Sequence, residues 1–96
     1  MSFVQTVTLA PGASTGWHYH PGRVHVMVLS GTLTRTLHDG TVEVSEAGER
    51  LVEQAGPVYI HVGRNLGEEP VVLVATYDIP DGYPQAVAVA APEWSR

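Results

Sequence analysis

An all-β fold, either a two-sheet sandwich or a small barrel, is the class this sequence predicts, and three observations carry it. Short apolar and β-branched runs recur along the chain, many alternating with polar residues at the two-residue period of a strand. Turn dipeptides such as Pro-Gly, Asp-Gly and Ala-Gly separate them at the spacing of a β-sandwich or barrel. No window combines helical periodicity with capping residues.

Val4 to Leu9 alternates and ends at Pro11-Gly12, which reads as a strand and a turn. A second strand, about Gly16 to His20, stops at Pro21-Gly22. Val24 to Leu29 is nearly continuous apolar sequence, the pattern of a buried strand, and ends at Ser30-Gly31. Thr32 to His38 alternates up to Asp39-Gly40, and this dipeptide between two alternating runs predicts a hairpin with a type I′ turn. Thr41 to Val44, Arg50 to Glu53, Val58 to Val62 and Val71 to Tyr77 are the remaining strands. The tail from Ile79 is interrupted by proline and rich in small residues, which predicts an extended segment along the outside.

Composition narrows the function. The 96 residues, 44% hydrophobic and 16% charged, suit one domain over 1–96, with a barrel at about 4–78 and a tail at 79–96. The chain has no cysteine, so disulfides, thiolate nucleophiles and thiolate metal sites are excluded, and any metal must be held by nitrogen and oxygen. A net charge of −5, with five dispersed arginines as the only Lys/Arg cations, lacks the basic footprint of nucleic-acid binding. That leaves a small-molecule or protein partner, and since no apolar run approaches a membrane span and the N-terminus lacks a leader pattern, a cytoplasmic protein is expected.

Three of the five histidines fall between positions 18 and 25. Residues two apart on a strand share a face, so His18 and His20 present both imidazoles to one side while Trp17 and Tyr19 take the other. Such a pair can bind one metal ion, or it can be surface decoration. The residues C-terminal to the pair favour the ion: a Pro-Gly turn, an apolar strand ending in Leu-Ser-Gly, and later His61-Val-Gly-Arg-Asn65 after Gly48 and Gly56.

The segment PGASTGWHYHPGRVHVMVLSG resembles the first motif of the cupins: a glycine, His-x-His, three or four residues, usually Glu, six residues and Gly. GERLVEQAGPVYIHVGRN resembles the second: Gly, a turn with proline and glycine, then His and three residues to Asn. The resemblance runs from about Val7 to Tyr77. It implies a double-stranded β-helix barrel, jelly-roll-like, holding one divalent ion, Fe, Mn, Ni or Zn. His18, His20 and His61 match the family's metal-binding histidines. Two departures stand out. Val24 occupies the position of the usual glutamate, and two extra residues separate Gly48 from His61.

A three-histidine site is the simplest consequence. His25 neighbours Val24 and should face the opposite side, which reads as a surface or packing role rather than a ligand. Glu53 can supply an oxygen, but an exposed charge is the favoured reading. His38, at the hairpin, is expected to be solvent-exposed. Tyr59 lies two before His61 and by parity should either enter the cavity or pack as a core residue with its hydroxyl at the barrel rim, and Val24 and Val26 would make an apolar floor for a small ligand. Asn65 reads as a turn residue with Gly67, and Arg23 and Arg64 as surface charges.

No nucleophile with a base is visible, so the sequence identifies no catalytic residue. The resemblance implies a metal-dependent dioxygenase or a lyase or isomerase on a small organic substrate. The other class is a non-catalytic ligand-binding or sensing module, and a barrel with purely structural histidines remains open beside both. A twofold homodimer through open sheet edges is also implied.

Overall fold

The structure, a computed structural model, describes residues 2–96. The strands in chain order are β1 (Ser2–Leu9), β2 (His18–Tyr19), β3 (Arg23–Ser30), β4 (Thr32–Leu37), β5 (Val42–Glu46), β6 (Arg50–Glu53), β7 (His61–Arg64), β8 (Val71–Asp78) and β9 (Val87–Ala88). They form two sheets with antiparallel pairings, ordered β1-β8-β3-β6 and β5-β4-β7-β2-β9. The all-β class expected from alternation is the class observed.

The first sheet packs as its sequence alternates. Val24, Val26 and Val28 of β3, Val71, Leu73, Ala75 and Tyr77 of β8, and Leu9 of β1 are buried, and Leu33 of β4 joins them from the second sheet. The opposite parity of β3 puts Arg23, His25 and Leu29 outside. β3 lies between β8 and β6, so Val24 stands opposite Tyr77 on one side and Glu53 on the other. The approach to β3 requires glycine at position 22, where a Cβ would lie 1.8 Å from the Asp78 carbonyl oxygen.

Sequence and structure differ at three places. The β4–β5 hairpin is real, but Asp39 keeps a negative φ and only Gly40, at +87°, is left-handed. Gly40 N–H donates to the Leu37 carbonyl and Leu37 N–H to that of Thr41, so the loop has three residues ending in a glycine bulge. β7 starts only at His61 because residues ahead of it form a turn, in which Tyr59 N–H donates to Gly56 and Gly56 N–H to His20. Third, the tail is more than an outer strap. β9 pairs with β2, Val89 N–H donates to the Trp17 carbonyl, and Trp94 packs edge-on against Trp17 at 5.8 Å.

Asn65, 1% exposed, closes the turn after β7. Its amide donates to the carbonyls of Leu9 and Glu69, and its Oδ1 accepts from Gly67 N–H. Among the described residues, no helix is long and apolar enough to cross a membrane.

Candidate metal centre

β2 and β7 are neighbours, and His18 pairs directly with His61 in their register. His20 lies just after β2 and is fixed by a bridge to Ala55. The three rings therefore converge, with centroids 4.8 Å apart for His18 and His20, 4.3 Å for His18 and His61, and 5.2 Å for His20 and His61. One nitrogen from each lies within 4.8 Å of the others; nitrogens about 2.1 Å from a shared tetrahedral ion stand about 3.4 Å apart, so the rings would draw together on binding.

The backbone fixes how each ring presents itself. His18 Nδ1 lies 2.9 Å from the Gly16 carbonyl, His20 Nδ1 2.7 Å from that of Gln85, and His61 Nδ1 3.0 Å from that of Tyr59. A carbonyl only accepts, so each Nδ1 carries a proton and each neutral ring has its lone pair at Nε2. This arrangement orients metal-binding histidines and sets their tautomer.

Glu53 sits among these nitrogens, which corrects its expected place as an exposed charge. Its side chain is 11% exposed, with Oε1 3.1 Å from His20 Nε2 and Oε2 3.1 Å from His61 Nε2. The His61 contact is close enough for an ion pair but is not aligned as a hydrogen bond, which leaves His61 Nε2 buried without a hydrogen-bond partner. Arg35, also buried, reaches Oε2 of Glu53 at 3.4 Å with one nitrogen and pairs with Glu43 through another.

Burial alone would raise the pKa of Glu53, but the hydrogen bond with His20 and the positive potential of His61 and His20 outweigh it and hold the carboxyl well below the usual range. Burial likewise works to lower His61, and the Glu53 carboxylate with the Tyr59 carbonyl reverses this, so His61 is raised. His18 is lowered, chiefly by burial, against the pull of the Gly16 carbonyl and with help from the other two imidazoles. Tyr77 lies edge-on to His20 at 5.8 Å, and burial with the nearby Glu53 charge raises its phenol.

The histidines, Glu53, Arg35 and Tyr77 line an inner cavity of about 70 Å³, room for an ion and about one or two water-sized ligands. Val26 lines it as well, whereas Val24 is packed in the core beneath. Beside it opens a cleft of about 240 Å³ that shares Arg35 and His61 with the inner cavity. Tyr59 lines this outer cleft, 42% exposed, because its segment is a turn and strand parity does not hold there. His38 is half-buried rather than free in solvent, packed edge-on against Tyr59 at 5.2 Å. His25 points out from the opposite face of β3 and lines a separate recess there.

Sequence reasoning passes over Arg35, Tyr77 and the Gln85 carbonyl and discounts Glu53. For two of these the signal is present as parity. Leu33, Arg35 and Leu37 share one face of β4, and Leu51 and Glu53 one face of β6, so each charge lies on an apolar side.

The sequence profile described as a Cupin domain matches residues 5–77. No curated protein matches the chain. Among solved structures, a conserved protein with a double-stranded β-helix domain from Klebsiella pneumoniae is 25% identical, with a TM-score of 0.75 over 85% of this chain and 70% of that one. An oxalate oxidase is also 25% identical, with a TM-score of 0.75 over 92% of this chain, which spans 46% of that protein. The polyketide cyclase RemF from Streptomyces resistomycificus shares the fold, with 22% identity and a TM-score of 0.77 over 96% of this chain and 63% of that one.

Proposed function

This chain belongs to the cupin family, with its double-stranded β-helix fold, and we propose that it is a metalloprotein whose divalent ion is held by His18, His20 and His61. The observation that carries the reading is the tautomer lock: the Nδ1 of each histidine lies against a main-chain carbonyl while all three rings line one cavity. Neutral imidazole lone pairs converging without a donor between them form a donor set for a cation. Iron, manganese, nickel or zinc suits a site of this nitrogen and oxygen composition.

The ligand is a small organic molecule taken up in the outer cleft. There, Tyr59 and His38 offer polar edges beside the apolar Leu37, Val52 and Ile60, and the volume suits a compound smaller than a typical drug-sized ligand. A bound ion supplies Lewis acidity or, with iron, oxygen chemistry. The reaction classes are then a dioxygenase or a lyase or isomerase. Fold likeness to an oxidase and a cyclase does not select among them, because one scaffold hosts many chemistries. A non-catalytic binding or sensing module is the second reading, favoured by the small inner cavity, which leaves about one or two exchangeable positions. Tight ligand binding without turnover would select it. We further infer a homodimer, supported by the apolar outward face of the first sheet, where Met27, Val52 and Val74 line a recess of about 480 Å³.

The test is metal content of protein purified without affinity tag or chelator. Stoichiometric divalent metal is expected in the parent and in the His38→Ala variant, and none in His61→Ala. A parent that takes up no ion after incubation with each metal, or equal retention in all three proteins, would overturn the assignment.

A further inference from the structure

We propose that Glu53 is the anionic fourth ligand of this centre, delivered by β6 at the rung opposite Val24; the inference rests on the histidine-held ion proposed above. Val24 and Glu53 are direct partners in the antiparallel pairing of β3 with β6. Paired residues have Cβ atoms about 5 Å apart and share a face, so a carboxylate at either position reaches the same region of the interior. Position 24 itself holds a valine that is 1% exposed, and no carboxylate comes from β3.

The contacts of Glu53 need a cation. The side chain is 11% exposed, a costly place for a carboxylate without strong partners. Its link to Arg35 is long, at 3.4 Å, and the same guanidinium is engaged by Glu43. Its other close neighbours are Nε2 of His20 and Nε2 of His61, each at 3.1 Å. With both Nδ1 protons committed to carbonyls, neutral rings meet Glu53 as acceptor against acceptor. A proton or a metal ion must lie between them.

The spacing fits the ion. Two ligand atoms about 2.1 Å from one ion and at right angles to each other stand about 3.0 Å apart. Both Glu53 contacts match that edge at 3.1 Å. Charge agrees as well. Three neutral imidazoles leave a divalent ion's full charge in a buried cavity, and one carboxylate halves it, while Arg35 and Glu43 offset each other behind. The competing explanation is that Glu53 only pairs with Arg35 and protonated histidines.

Titration of chelated protein with cobalt(II), read by calorimetry and by the cobalt visible spectrum, separates the two. Glu53→Gln keeps the side-chain shape and removes the charge. It should weaken cobalt binding by about 100-fold, the upper end of the range known for supporting residues around metals, and should alter the spectrum. Glu43→Gln removes the other carboxylate on Arg35 and should change affinity by less than about 3-fold, within the range of an exposed charge. Unchanged affinity and spectrum in Glu53→Gln, with metal lost in His61→Ala, would overturn the Glu53 assignment and leave the histidine centre standing. No cobalt binding by the parent would instead remove the histidine centre itself, and this inference with it. Should Glu53→Gln fail to fold, the infrared difference spectrum of the parent on metal addition decides: shifted carboxylate stretching bands support the ligand, and unmoved bands overturn it.

Discussion

Glu53 and His61 set opposite pH limits on the metal-free protein. The folded pKa of Glu53 lies below its unfolded value, so its contribution to stability is present above about 4.5 and is lost as pH falls toward the folded value. The folded pKa of His61 is raised, so its contribution is full below 6.5 and is lost as pH rises through the folded value. The lowered His18 works in the opposite direction, so the His61 term is read against a reference: the stability that chelated protein holds over chelated His61→Ala should be larger near pH 6 than near pH 8, whereas metal affinity should rise over the same interval because the ion requires deprotonated imidazole. A difference that grows toward the higher pH would contradict the pairing. The residue scale is also where sequence reading divides. His18, His20 and His61 are legible because a strand period and two ordered motifs constrain them. Glu53 is not, since its type favours the surface and only its parity with Leu51 hints otherwise. The Gln85 carbonyl that orients His20 is illegible, because a backbone group 65 residues away leaves no trace in side-chain pattern.

At the level of elements, the pairing of β3 with β6 makes Val24 and Glu53 alternative positions for one carboxylate. Glu53→Val should lose metal affinity by about 100-fold, and adding Val24→Glu to it should recover at least about 10-fold by cobalt titration. A double variant no better than Glu53→Val would show that the two positions do not serve the same cavity. Strand existence is legible almost throughout, since β-branched alternation reports burial on one face. The failures lie where backbone geometry rather than pattern decides. Tyr59 obeys no strand parity because Gly56 and Pro57 start a turn. The two-residue β9 has too short a pattern to recognise and exists because β2 offers an edge.

On the scale of the whole molecule, the site depends on segments far apart in the chain: β2, β6, β7 and the tail. The tail's hold on β2, through β9 and the contact of Trp94 with Trp17, places the Gln85 carbonyl against His20. The first sheet leaves an apolar outer face with His25, Met27, Val52 and Val74, and its edge strand β6 carries Glu53 on the inward side. Light scattering at micromolar concentration should give the mass of a dimer. A clean monomer would contradict that assembly without touching the metal centre.

The ion among the histidines is tested most directly by anomalous X-ray scattering from crystals of protein that has never met a chelator. A single strong peak is expected among the nitrogens of His18, His20 and His61, within bonding reach of Glu53. An empty cavity in crystals soaked with divalent metals, or a peak lying away from these nitrogens, would contradict it.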